Sequence, residues 1–349
     1  MAMMGDCCLS RVIWVSVLFC CSWTCSSGPV PPSFIVFGIH PSLPGMPTRT
    51  HRLFLILLLL CVLPHATLAQ ESDTTGGIPT GADVQPETPV DEWTGKTVLV
   101  VGAHPDDDSY AYGTLSLLRE NGNEIHVLIM TTGNVGTKDP DMTRTRLSQI
   151  RREEELAALS ALGIPEDHYI NLGYTDGMLE FADKKEVVKQ LVYHIRTLQP
   201  DVLFAFDPGY GYQVWHKTDH RSASYLAADA ARAAEWRLLF PGQINHEGLD
   251  AHRIEEYMFF GGPDEAKNVT VDISGAHAEN KVQAISKHLS QFSSAWRDYT
   301  PELPPDERET YMQNIRERAL DSTEAGQPVE RFRYYEGIPD GIGKRRGEY

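Results

Sequence analysis

From Thr97 onward the chain alternates short apolar runs with longer stretches whose apolar positions recur at helical spacing. TVLVVGA (97–103), EIHVLIMTT (124–132), YINLG (169–173) and DVLFAFDP (201–208) have strand length. Nearly continuous apolar runs of this kind suit strands covered on both faces. Between them, residues 109–121 and 143–162 predict helices, the second closed by Gly163. Val187, Val188, Leu191, Val192, Ile195 and Leu198 line one helical face, and an Ala-rich stretch from about Asp219 to Leu239 predicts a long helix. Strands alternating with helices predict an α/β fold: a Rossmann-like, doubly wound, mostly parallel sheet with helices on both faces.

The N-terminal part has a different pattern. Arg49 and Arg52 precede an unbroken apolar run, Leu53 to Leu63, then Pro64 and the small-residue stretch HATLA. That is the order of a secretory signal peptide, and the run is too short to span a bilayer. The expected layout is a leader over 1–69 with the signal peptide at 46–69, a Pro/Gly/Thr-rich linker over 70–94, and one domain with a C-terminal extension over 95–349. Cleavage after Ala69 would export the protein to the periplasm or outside the cell with no membrane span left. Residues 1–45 read as an over-extended start or a dispensable leader.

Composition sharpens this division. All six cysteines lie in the leader, so a catalytic thiol, a disulfide or a thiolate metal site in the body is excluded. Beyond residue 69 there are 28 basic and 47 acidic side chains, a balance of −19. Such an acidic body lacks the basic surface that nucleic acid requires.

In doubly wound sheets the active site lies beyond the carboxyl ends of the strands, where strand order reverses. The loop after the first strand reads AHPDDDSYAYGT. It lacks a dinucleotide-binding glycine pattern and instead presents His104, Asp106, Asp107 and Asp108. A helix cap accounts for one carboxylate, not three. The loop after the fourth strand, DPGYGYQVWHKTDHR, adds Tyr212, His216, Asp219 and His220. Two imidazoles and a carboxylate from adjacent strand ends would give a metal site with open positions for water and substrate.

The AHPDD string, the later His and Asp-His pair, and KVQAISKHLSQ resemble the LmbE/PIG-L family of zinc-dependent de-N-acetylases. The resemblance runs from about residue 97 to 291, with a possible extension to VERFRYYE (329–336). It implies His104, Asp107 and His220 as metal ligands and Asp106 as general base toward the attacking water. Asp219 would orient a ligand imidazole. His216 would stabilise the oxyanion or protonate the leaving amine. Arg151 with Glu154, Asp176 and Asn134 would contact sugar hydroxyls, and Tyr212 would flank the sugar. The chain departs from the family pattern at Asp108 and Asn134, both Glu in the family. His216-Lys217-Thr218-Asp219-His220 is also one residue longer than the family's His-Pro-Asp-His.

The reaction expected is hydrolysis of the N-acetyl group of an N-acetylated amino sugar, with Zn²⁺ as the metal; Fe²⁺ or another divalent ion suits the same donors. Two alternatives use the same fold: a metallo-amidase or esterase on a non-sugar acyl group, and a non-catalytic carbohydrate-binding protein. Binding alone has no use for Asp106. The other histidines read as structural: His126 as a hydrogen-bonded strand residue, His288 as a supporting residue at the rim, and His168, His194, His246, His252 and His277 as surface or packing residues without carboxylate partners.

Overall fold

In the computed structural model, which describes residues 84–209 and 218–337, the four apolar runs become β1 (Thr97–Gly102), β2 (Glu124–Thr131), β3 (Tyr169–Tyr174) and β4 (Val202–Phe206). The leader, the first part of the linker, Tyr212, His216 and residues 338–349 lie outside the described residues. β1 pairs in parallel with β2 on one side and β4 on the other, with Val98 opposite both Ile125 and Val202. The chain thus winds outward to β3 and crosses back to β4. The loops after β1 and β4 therefore open side by side at the carboxyl edge.

The helices joining these strands are α1 (Tyr112–Glu120), α2 (Arg144–Ala161), α3 (Lys184–Leu198) and α4 (Thr218–Ala234). Their starts follow local chemistry. Thr143 Oγ1 accepts from Arg146 N at 3.2 Å, and Asp183 Oδ1 accepts from Lys185 N at 2.9 Å. α3 places Val187, Leu191, Val192 and Ile195 in the core, as their spacing predicts. Val98, Leu99, Val100 and Val101 of β1 are all buried, which is why that strand reads as continuously apolar.

Past α4 lie β5 (Glu256–Phe260), β6 (Val269–Asp272), α5 (Pro241–Asn245), α6 (Ala276–Ile285), α7 (Leu289–Phe292) and α8 (Pro305–Ala319). β5 continues the parallel set beside β4. The chain then ends in β7 (Thr323–Glu324) and β8 (Gln327–Glu336), and β8 runs antiparallel between β5 and β6. Among the described residues the sheet order is β3-β2-β1-β4-β5-β8-β6, with β7 on β8.

The stretch expected as linker differs near its end. Val90 and Trp93 are buried in the core, and the Trp93 indole donates to Thr88 O at 2.9 Å. Their apolar surface outweighs the polar composition around them. Among the described residues no helix is long and apolar enough to cross a membrane.

Candidate active site

The β1 loop turns tightly enough to fold Asp107 back over the end of its own strand. Asp107 Oδ2 accepts from Ala103 N at 2.8 Å and His104 N at 2.7 Å. Gly102 permits this return, since a Cβ there would meet Asp107 Cβ at 3.0 Å and Ile129 Cδ1 at 2.8 Å. With Oδ2 held by two amides, Oδ1 faces His220 Nε2 at 3.1 Å. His220 Nε2 is in turn 3.1 Å from His104 Nδ1, which lies 3.5 Å from Asp107 Oδ2. All three side chains are buried. The proposed ligand trio is therefore assembled, with donor atoms close enough to share one ion.

The two imidazoles are held from behind. His220 stacks on Phe206 with ring centroids 4.4 Å apart. His104 Nε2 faces Asp176 Oδ1 at 3.2 Å and Asp219 Oδ2 at 3.3 Å. A carboxylate on Nε2 keeps the proton there and leaves the Nδ1 lone pair for the metal side. Asp219 is itself fixed, accepting from Gly177 N at 2.6 Å and Leu179 N at 3.0 Å. Asp219 and His220 occupy the first turn of α4 and diverge, one toward the β3 loop and the other toward Asp107.

The electrostatics favour a cation. Burial acts against charge on His104, but Asp107, Asp176 and Asp219 outweigh it and hold its pKa well above the usual imidazole value. Burial likewise opposes ionisation of Asp107, and His220 and His104 overcome it, holding the carboxyl well below its ordinary range. Asp176 is also lowered, against its burial, chiefly by its hydrogen bond with His104 and that ring's charge. Two imidazole nitrogens and a carboxylate oxygen at these separations fit a divalent ion of the zinc or iron class.

Asp106 and Asp107 are separated by backbone conformation. The sequence suggests an extended segment in which neighbours point apart; instead Asp106 adopts a left-handed conformation, φ 114° and ψ −14°. For a residue with a Cβ this costs about 1–3 kcal/mol and must be held by its surroundings. Arg151 supplies that hold. Its Nη2 lies 3.1 Å from Asp106 Oδ1 and also donates to Pro105 O, while Nη1 donates to Gly133 O at 3.2 Å. Gly133, at φ 62°, leaves room for the guanidinium; a Cβ there would sit 2.5 Å from Arg151 Nη1.

Asp106 opens onto a cavity of about 350 Å³ lined also by His104, Arg151, Asp176, Thr218 and Gln291. Of the residues assigned to the sugar, Asp176 lies in this wall, and Asn134 supports it by accepting from Asp176 N at 3.2 Å. Read without the resemblance, Arg151 and Glu154 form an exposed helical ion pair, but both are buried. Glu154 turns the other way, accepting from Ser290 N at 2.8 Å and Ser290 Oγ at 2.6 Å. Burial pushes its pKa up to about 7 despite those bonds.

Asp108 does not face the cavity. It is buried beneath the loop beside Glu155, and Tyr112 Oη donates to its Oδ1 at 3.2 Å. His288 belongs to this interior cluster and not to the rim, with Nε2 2.9 Å from Tyr112 Oη. Burial pulls His288 down to about 3 and raises Asp108 to about 7.

Two supports from β8 have no local signal in the sequence. Glu330 accepts from Gly113 N at 2.9 Å and Thr114 N at 2.7 Å, and so caps α1 immediately behind the β1 loop. Arg333 pairs with Asp207 at the end of β4, donating from Nε at 2.6 Å. Both ends of the site are thus braced by one distant strand.

Comparison with known proteins agrees with the family resemblance of the sequence. The family model described as PIG-L, GlcNAc-PI de-N-acetylase, matches residues 99–231. A diacetylchitobiose deacetylase of Thermococcus kodakarensis is 32% identical over 216 residues, 60% of this chain and 75% of that protein. A probable N-acetyl-alpha-D-glucosaminyl L-malate deacetylase 2 of Bacillus cereus is 33% identical over 205 residues, 58% of this chain and 86% of that protein. The solved N,N'-diacetylchitobiose deacetylase of Pyrococcus horikoshii superposes with a TM-score of 0.59 at 27% identity, covering 74% of this chain and 89% of its own. With the fold, the loop motif and these relatives in agreement, the chain belongs to the LmbE/PIG-L family of de-N-acetylases and is a hydrolase of the N-acetyl amide bond.

Proposed function

We propose that this protein is an exported, zinc-dependent enzyme that removes the acetyl group from an N-acetylglucosaminide. The observation that carries this is the convergence of His104 Nδ1, Asp107 Oδ1 and His220 Nε2 beside a cavity that Asp106 enters from another direction. The named substrates of the relatives share one chemical unit, an N-acetylated glucosamine, while what is attached to it varies. A cavity of about 350 Å³ is at the small end for small-molecule sites, in keeping with one N-acetyl sugar ring bound at a time.

A divalent ion held by His104, Asp107 and His220 would lower the pKa of a water and polarise the amide carbonyl. Asp106, held by Arg151, takes the proton from the attacking water. Asp219 and Asp176 keep the proton of His104 on Nε2 and so fix the direction of Nδ1. Asp176, supported by Asn134, borders the space for sugar hydroxyls, and Tyr212 would flank the sugar as the family resemblance implies. His216 stabilises the oxyanion and delivers a proton to the departing amine, so that acetate and a free amino sugar leave. Signal-peptide cleavage after Ala69, a linker that ends before the core residue Val90, and a single catalytic domain from there onward complete the reading. A panel of N-acetylglucosaminides and non-sugar acetamides, scored for released amine and acetate, tests it. Turnover confined to the sugars supports it, whereas turnover of the simple acetamides alone would make the protein a general amidase.

A further inference from the structure

We propose that Glu124, His126 and His168 form a second divalent-cation site, remote from the catalytic pocket, that ties the edge strand β3 to β2. Glu124 and His126 are two apart on β2 and so share one face of the sheet. His168 closes a short 3₁₀ turn (Glu166–His168) just before β3. His126 Nε2 lies 3.0 Å from Glu124 Oε1, and His168 Nε2 lies 3.9 Å from the same oxygen. One donor atom from each residue falls within 4.8 Å of the others.

A second observation makes the cluster ready for a ligand. His168 Nδ1 is 2.9 Å from Ile125 O, and a carbonyl only accepts, so Nδ1 carries the proton. In the neutral ring the lone pair then lies on Nε2, the atom directed at the cluster. The two imidazoles are stacked, with centroids 4.1 Å apart and planes 16° from parallel. Burial, together with the neighbouring ring, lowers the pKa of His126 and favours the neutral form that binds metals. The Glu124 side chain is 57% exposed and gives an ion a way in. His126 Nε2 lies 3.0 Å from the Glu124 carboxylate, which only accepts, so an incoming ion would displace the ring proton held there and take its place beside that oxygen.

Two imidazoles and one carboxylate suit Zn²⁺, Cu²⁺ or Ni²⁺ more than Mg²⁺ or Ca²⁺. The site is independent of the catalytic one: the five residue steps along β2 from His126 to Thr131 span roughly 16 Å at about 3.3 Å each. Among the described residues β3 ends the sheet and pairs with β2 alone, with a register shift between Ile129 and Thr131. An ion bonded to both strands would hold that edge in register and stabilise the fold by binding the native state.

The test is a Zn²⁺ titration of the full chain and of His168→Ala, followed by calorimetry and by thermal unfolding. Wild type should bind one equivalent more than His168→Ala, and filling that equivalent should raise Tm in wild type only. His168→Ala should hydrolyse N-acetylglucosaminides at the wild-type rate, since His168 touches no part of the catalytic pocket. Glu124→Gln, an exposed change that cannot unfold the protein through a cavity, should weaken the extra equivalent at least 10-fold. Equal stoichiometry in wild type and His168→Ala, or full affinity in Glu124→Gln, would overturn the proposal. A His220→Ala background keeps the sites apart: the extra equivalent should persist there and vanish when His168→Ala is added.

Discussion

His104 Nε2 lies 3.3 Å from Asp219 Oδ2, on the opposite side of the ring from the Nδ1 that faces Asp107 and His220. Because Asp219 is held by the amides of Gly177 and Leu179, the α4 terminus and the β3 loop together set the angle of His104, a proposed metal ligand that they do not contain. Asp219→Asn keeps an acceptor but removes the charge that favours the proton on Nε2. Metal affinity should fall about 10–100-fold. Competition with a chelator measures this, and unchanged affinity would mean that Asp176 alone orients the ring.

Arg151 is committed to Asp106, Pro105 O and Gly133 O, and it is almost wholly buried. A lysine has one point of charge and cannot span the three acceptors. Arg151→Lys should therefore lower kcat about 10–100-fold while metal content stays at the wild-type level. Gly133→Ala should reproduce the loss, because its Cβ would displace the guanidinium. If KM alone rises in both variants, Arg151 serves the substrate and not Asp106.

Glu154 gives the fold a pH dependence of defined sign. Its pKa is raised by burial from 4.5 to about 7, so the folded protein keeps a proton that the unfolded chain has released. This contribution to stability is fully present below about pH 4.5 and is lost as the pH rises through 7. Glu154→Gln preserves acceptance from Ser290 N and can donate to Ser290 Oγ. The variant should match wild type near pH 4.5 and exceed it by about 3 kcal/mol at pH 8. Denaturant unfolding at the two pH values reads the difference; a constant offset would show that Glu154 ionises without cost.

The parallel half of the molecule is legible because each of its elements satisfies itself locally. β1, β2 and β4 are buried on both faces and read as apolar runs, and Asp183 marks the start of α3 by capping it. The convergence of His104, Asp107 and His220 is legible from topology, since a doubly wound sheet leaves the ends of β1 and β4 adjacent. What escapes is non-local. Arg333 meets Asp207 across 126 residues, and Glu330 caps α1 across 217 and 216 residues, so nothing near either motif announces them. Charged residues also mislead when their partners are remote: Glu154 and Arg151 resemble a surface pair but face Ser290 and Asp106 in the interior. His168 and His277, expected without carboxylate partners, lie 3.9 Å from Glu124 and 3.7 Å from Glu120.

The separation of Asp106 from Asp107 is the feature on which the proposed chemistry depends. Asp107 sits among the imidazoles with one oxygen fixed by two amides, whereas the left-handed backbone sends Asp106 to Arg151 and the cavity. The most direct measurement compares Asp106→Asn with Asp107→Asn for bound zinc and for acetate release from an N-acetylglucosaminide. Asp106→Asn should keep its metal and lose about 10²–10⁴-fold in kcat with little change in KM. Asp107→Asn should lose both metal and turnover, because a neutral amide is a poor ligand in place of a carboxylate. Loss of metal from Asp106→Asn with retention in Asp107→Asn, or wild-type turnover in either variant, would contradict the assignment.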